Sequence, residues 1–386
     1  MKKERFTAIQ AMRFFCCLVV ALGHMGFFDV FPVLKNGSTI WVLVIFFLIS
    51  GFTMVYSYND RELDCTLTKN FKFAVGKIKK LYPLHVQTAV IQFVILFLLF
   101  FVLMKNFAME AIARFLFRFG INLVLLQAWV PDRKNYIMNF NGPSWFLSVM
   151  LFAYFVFPWI IKLFKKWNST RKLLILTGVL VVLSVVTTAL LGIKIGYEEE
   201  LPIWYQNYFP VTQTLLFFEG CVFGFIYLEC KKKEPEEEKT VSAGKWTLIE
   251  LLVIIYFFAG SVLVKQMSLG KLGDFCMGLS ASYSFLPMLF CVPLIIVFIL
   301  NRGGITKALC AKPILYLGDI SMYIYLIHYI FANIVMIVEM ITGAFPRPVK
   351  LVVIIIEMTL TILVSAAYNK LQKKKAKKVA TNKGNT

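Results

Sequence analysis

Ten stretches of roughly twenty apolar residues follow one another along this chain, each long enough to cross the hydrocarbon core of a bilayer. They lie near residues 8–30, 39–58, 83–104, 142–163, 173–193, 208–228, 246–264, 282–300, 315–341 and 350–368. So much apolar surface cannot be hidden in a soluble core. Of the 386 residues 59% are hydrophobic and only 16% charged, whereas soluble domains carry about 25% charged residues. The pattern excludes a soluble enzyme, a disordered regulator and a secreted disulfide scaffold. The expected fold is all-α, a polytopic membrane protein of about ten transmembrane helices. An eleventh apolar piece, Phe115 to Val130, is short and broken by Arg118, Gly120 and Asn122.

Charge decides how that piece is used. The chain holds 41 Lys and Arg against 21 Asp and Glu, a net charge of +20. The basic residues gather in short runs between apolar stretches, as cytoplasmic loops facing anionic lipid do. Almost no polar domain remains to grip nucleic acid; membrane lipids are the expected neighbours. If 115–130 does not cross, 29 basic residues lie inside and 11 outside. If it did cross, the basic run at 162–172 would move outside. The positive-inside rule therefore predicts ten spans with both termini cytoplasmic, and a short re-entrant or interfacial helix at 115–130. Residues 1–370 read as one integral membrane domain and 371–386 as a basic cytoplasmic tail.

No small-residue cleavage site follows the first apolar stretch, which is expected to be retained as a helix. Of eight cysteines only Cys276 falls in an expected outer loop, so no external disulfide framework is predicted. No His/Cys spacing suits a metal.

Several polar groups lie inside these spans, where each needs a reason. Arg13 and His24 share the first span, and eleven helical steps bring them within about 20° of one direction, about 16 Å apart. Both point into one interior seam, Arg13 toward the inner leaflet and His24 toward the outer half. An imidazole held there can act as a general base. KNFKFAVGKIKKLYPLH at 69–85 places Lys77 and Lys80 on one face if helical, a basic inner mouth suited to headgroups or to the phosphates of a soluble cofactor. NGPSWFLSVMLFAYFVFP at 141–158 begins with a turn signal that delivers Trp145 and Ser148 to the fourth span. Asn139, Asn141 and Ser144 beside it are suited to sugar hydroxyls. YLGDISMYIYLIHYI at 316–330 sets Asp319, Ser321, Tyr325 and His328 in an apolar helix, His328 at a depth comparable with His24.

Taken in order, these landmarks resemble the acyltransferase-3 family of integral membrane O-acyltransferases. Arg13 and His24 match its R-x10-H element, FFLISGF at 46–52 its FFxLSGF segment, and KIKKLYP at 77–83 its basic element before proline. The blocks around Trp145 and at 317–330 resemble its W-x-L-x-V and LGxxSYxxYLxH elements. Lys77 and Lys80 depart from the usual Arg, and Met150 stands where many members carry Glu.

The resemblance implies transfer of an acyl group, most often acetyl, from cytoplasmic acyl-CoA to a hydroxyl of a cell-envelope polysaccharide or its lipid-linked precursor, in a bacterial cytoplasmic membrane. Acyl-CoA would be a co-substrate, with no tightly bound cofactor. Its phosphates would rest on Lys77, Lys80 and Arg13, with His24 and Arg13 the catalytic residues and His24 the base. Trp145, Asn141, Ser148, Asp319, Tyr325 and His328 are the expected substrate contacts. Asp319, Glu219, Glu357 or a backbone carbonyl would orient the His24 ring. The alternative is a proton-coupled transporter or exporter of a small molecule or lipid-linked sugar, in which the intramembrane His and Asp relay protons.

Overall fold

The computed structural model describes residues 6–31, 38–105, 107–196, 199–233, 242–268 and 286–384, and among these no strand occurs. The first helices are α1 (Thr7–His24), α2 (Phe27–Val30), α3 (Ser38–Tyr58), α4 (Leu67–Ile78) and α5 (Tyr82–Phe97). They are followed by α6 (Met109–Leu123), α7 (Trp145–Trp167), α8 (Thr170–Ile195), α9 (Glu200–Asn207) and α10 (Pro210–Lys233). The remainder are α11 (Ala243–Ser268), α12 (Leu286–Leu300), α13 (Gly304–Leu309), α14 (Lys312–Thr342) and α15 (Arg347–Gly384). Among the described residues nine helices are long and apolar enough to cross a membrane, and Met288–Leu300 is a shorter apolar one. Part of the expected span near 282–300 lies outside the described residues, as do Cys276 and residues 234–239 of the charged segment KKKEPEEEK at 231–239. Leu183, Leu252 and Leu363 are each more than half exposed on the flanks of their helices, an apolar exterior that requires lipid rather than water. The chain is a multi-pass membrane protein.

The expected short helix is present as α6 but starts six residues before the apolar piece, at Met109. Its first turns carry Glu110 and Arg114, which an apolar-window reading discards. Arg114 and Arg118 lie one turn apart on one face, while Leu116 and Phe117 are exposed on another.

Contacts at the helix ends sort the loops into two sets. At one end Phe6 packs against Tyr56 at 4.8 Å and Tyr227 at 5.9 Å, and Lys165 donates to the Arg61 carbonyl at 2.7 Å. At the other end the Trp204 indole N–H donates to the Ala128 carbonyl at 2.9 Å, and Arg133 pairs with Glu200. Residues between α5 and α7 thus belong to a single end, and α6 does not carry the chain across. The basic tail is continuous with α15, which runs to Gly384 without a break at 370.

The bundle closes around glycines at helix crossings. A Cβ on Gly51 of α3 would run into the Phe217 carbonyl and the Cys221 N–H of α10, and one on Gly220 into the Leu48 carbonyl. Gly318 lets α14 lie against the α1 backbone at Gln10 in the same way. Small residues at such crossings let backbones approach where lipid supplies no hydrophobic drive. Replacing Gly51 by leucine is expected to destabilise the bundle by at least about 1–3 kcal/mol, read as a lower unfolding temperature in detergent; an unchanged temperature would contradict this packing.

Candidate active site

The α1–α14 contact sets the first feature of the site. Where α1 ends, His24 Nδ1 lies 2.9 Å from Nε2 of His328, the two rings stacked at 15°. His328 is fully buried, and its Nδ1 lies 3.1 Å from the Ile324 carbonyl one turn back. A carbonyl can only accept, so that nitrogen carries the proton. In a neutral ring Nε2 is then the acceptor, and His24 must donate from Nδ1. This leaves the lone pair of His24 on Nε2, which no described residue engages, and the His24 side chain is exposed. The arrangement is a hydrogen-bonded relay ending in a free base.

The second feature is a cavity of about 240 Å³ at the level of Arg13. Its polar lining includes Arg13, Lys77, Gln10, Ser50, Asp319 and Ser321. Lys77 donates to the Tyr58 hydroxyl at 2.7 Å and lies 4.1 Å over that ring, and Gln10 donates to Asp319 at 2.7 Å. Phe46 and Phe146 line the same cavity and pack against Tyr325 at 6.2 and 5.8 Å. Tyr325 in turn lies 6.0 Å from His328. An aromatic wall therefore joins the cationic cavity to the histidine pair.

The structure moves several expected contacts. Lys80 is exposed and does not line the cavity with Arg13 and Lys77. Pro83 has no N–H to give the carbonyl four residues back, so α4 ends at Ile78 and Lys80 falls in the turn. Trp145, Asn141 and Ser148 are buried rather than set at an entrance. Trp145 packs on Tyr208 at 5.0 Å, Ser148 donates to the Leu125 carbonyl at 2.6 Å, and Asn141 donates to Thr88 and to the Leu326 carbonyl at 2.6 and 3.0 Å. Ser144 is buried too, accepting from Gln127 at 3.1 Å. The turn is drawn inward because Gly142 seats the Tyr329 ring, with no room for a Cβ. Among the described residues His24 Nδ1 pairs with His328, expected as a substrate contact, in the position foreseen for Asp319, Glu219, Glu357 or a backbone carbonyl. Glu219 and Glu357 are buried elsewhere, on α10 and α15.

Sequence reasoning passed over α5 and Tyr329. The Tyr329 ring stands edge-on to His24 at 5.4 Å, and its hydroxyl donates to the Met138 carbonyl at 3.2 Å. Gln92 donates to the Tyr329 carbonyl at 3.0 Å and accepts from Asn333 at 2.7 Å. His85 lies 3.0 Å from the Asn122 carbonyl. His85, Thr88 and Gln92 form a polar stripe at helical spacing in an apolar span, the signal that could have found them. On the far side of Tyr329 opens a cavity of about 620 Å³, where Asn135 and Asn139 sit beside Arg114, Arg118 and Lys134.

The fold defines a polytopic membrane protein with a histidine pair and a cationic cavity inside its bundle. Residues 6–369 match the acyltransferase domain of the acyltransferase-3 family, and the chain belongs to that family. It is similar to acyltransferase MdmB of Streptomyces mycarofaciens, 26% identical over 237 residues, which cover 58% of this chain and 57% of that protein. The match thus spans little more than half of the relative's length. No solved structure matches.

Proposed function

We propose that this enzyme moves an acyl group, most simply acetyl, from cytoplasmic acyl-CoA to a hydroxyl of a cell-envelope polysaccharide or its lipid-linked precursor, in a bacterial cytoplasmic membrane with both termini inside. The observation that carries this reading is the Nε2 of His24, which no described residue engages, backed by His328 and joined by aromatic side chains to a cationic cavity about three helical turns below. The donor's phosphates rest on Arg13 and Lys77, and its thioester points along the Phe46–Phe146–Tyr325 wall. The acceptor hydroxyl gives its proton to His24 Nε2 as its oxygen bonds the thioester carbonyl carbon. The carbon–sulfur bond breaks, and the departing thiolate takes the proton back from His24.

Purified protein in proteoliposomes, given labelled acetyl-CoA and an envelope glycan extract, is expected to yield glycan heavier by one acetyl group. Substrate crossing the vesicle wall with unchanged mass and no need for acyl-CoA would refute the reading. Lys77→Ala is expected to raise the KM for acetyl-CoA about tenfold or more, the worth of a charge-assisted bond, with kcat little changed. Lys80→Ala is expected to leave both close to wild type. Equal effects from the two lysines would contradict the placement of the donor.

A further inference from the structure

The outer cavity beyond Tyr329 has a chemistry that the transfer step does not use. Three cations line it: Arg114 and Arg118 from α6, and Lys134 from the loop that follows. No carboxylate lines it among the described residues. Arg114 has Glu110 as an ion-pair partner, but both are well exposed, and such a surface pair is easily exchanged for a stronger anion. Arg118 lies over the Tyr136 ring at 5.7 Å, which holds the guanidinium in place. Asn135 is held toward the same space by Asp132, which accepts from its amide at 2.8 Å. The opposite wall is apolar. Phe100 and Met336, both exposed on the flanks of their segments, line the cavity, so it is open toward the bilayer as well as toward the outer loop.

Asn135, Asn139 and Asn333 also line the cavity with carboxamides suited to sugar hydroxyls, but a neutral glycan would make no use of its three cations. Clustered cations beside an apolar flank suit an anionic amphiphile instead, with Arg supplying paired donors to phosphate oxygens. We infer that the outer cavity is a phosphate subsite, and that the acceptor is a saccharide joined by a phosphate or pyrophosphate to a long apolar chain that enters between Phe100 and Met336. The inference rests on the acyltransferase reading and narrows its acceptor to one class. Anchoring the phosphate at Arg118 and Lys134 would hold the attached sugar over Tyr329, against the open side of His24.

The test is binding of farnesyl pyrophosphate, a short prenyl pyrophosphate, to the full chain in neutral phosphatidylcholine nanodiscs. The probe is expected to bind, with farnesol and inorganic pyrophosphate each about tenfold or more weaker. Arg118→Gln with Lys134→Gln is expected to weaken it by a similar factor or more. Arg118→Lys with Lys134→Arg, which keeps both charges but moves the paired donors, should lose clearly less than the double Gln variant, so loss of charge is separated from loss of fold. Farnesol binding as well as the pyrophosphate would overturn the phosphate subsite. Inorganic pyrophosphate binding as well would overturn the lipid-borne acceptor, leaving a site for a soluble phosphate. Equal binding by the Gln variant would place the probe elsewhere and sink the assignment. Probe binding without any acyl transfer from acetyl-CoA would instead defeat the functional reading, and transfer without probe binding the inference alone.

Discussion

His24→Ala is expected to lower kcat for acyl transfer about 10²–10⁴-fold, the usual worth of a positioned general base. The KM for acyl-CoA should hardly move, because the proposed phosphate contacts, Arg13 and Lys77, lie about 16 Å along the helix. The fold should survive the change. His24 is the last residue of α1 and its side chain is exposed, so truncation leaves no sealed void. Kinetics on protein shown intact by its unfolding temperature read the effect. Undiminished kcat would remove His24 from the chemistry.

The second large effect belongs to His328. Its ring fixes which nitrogen of His24 carries the proton, since the Ile324 carbonyl commits His328 Nδ1 to donating. His328→Ala removes the acceptor for His24 Nδ1 and frees the imidazole to turn or to adopt the other tautomer. Loss of a group that fixes a catalytic imidazole is severe in the serine-protease triad, and a fall of about 10²-fold or more in kcat is expected here. His328→Gln offers a side-chain oxygen where Nε2 stands and should restore much of that loss, whereas a role in packing alone would not discriminate by acceptor capacity. Kinetics of the two variants side by side test this: equal defects would contradict the relay.

The sequence disclosed the site where polar groups interrupt apolar runs, and failed where chain order hides proximity. Arg13, His24, Asp319 and His328 stand out because each is costly in a span unless it is used. The pairing of His24 with His328 could not be read, since 304 residues separate them and only the glycine-mediated approach of α14 to α1 brings them together. Lys80 shows how one turn decides a role: a helix carried two residues further would have placed it beside Lys77. Trp145, Asn141 and Ser148 look like an entrance because they follow a turn. Yet Gly142 under the Tyr329 ring draws that turn inward. The span pattern and the alternation of ends were legible because positive charge and apolar length are properties of local sequence. The start of α6 was not, because an amphipathic helix hides half its face from an apolar count.

Sidedness tests the central claim most directly. In sealed vesicles of one orientation, labelled acetyl-CoA, which does not cross the membrane, is supplied at the face bearing α4 and Lys77. Acceptor is confined to the face bearing α6 and the loop around Asn139. Wild-type protein should place label on the acceptor across the membrane, and His24→Ala should place almost none. Label transferred at the wild-type rate by the His24 variant, or transfer that occurs only when acceptor is supplied instead at the donor's own face, would contradict the account.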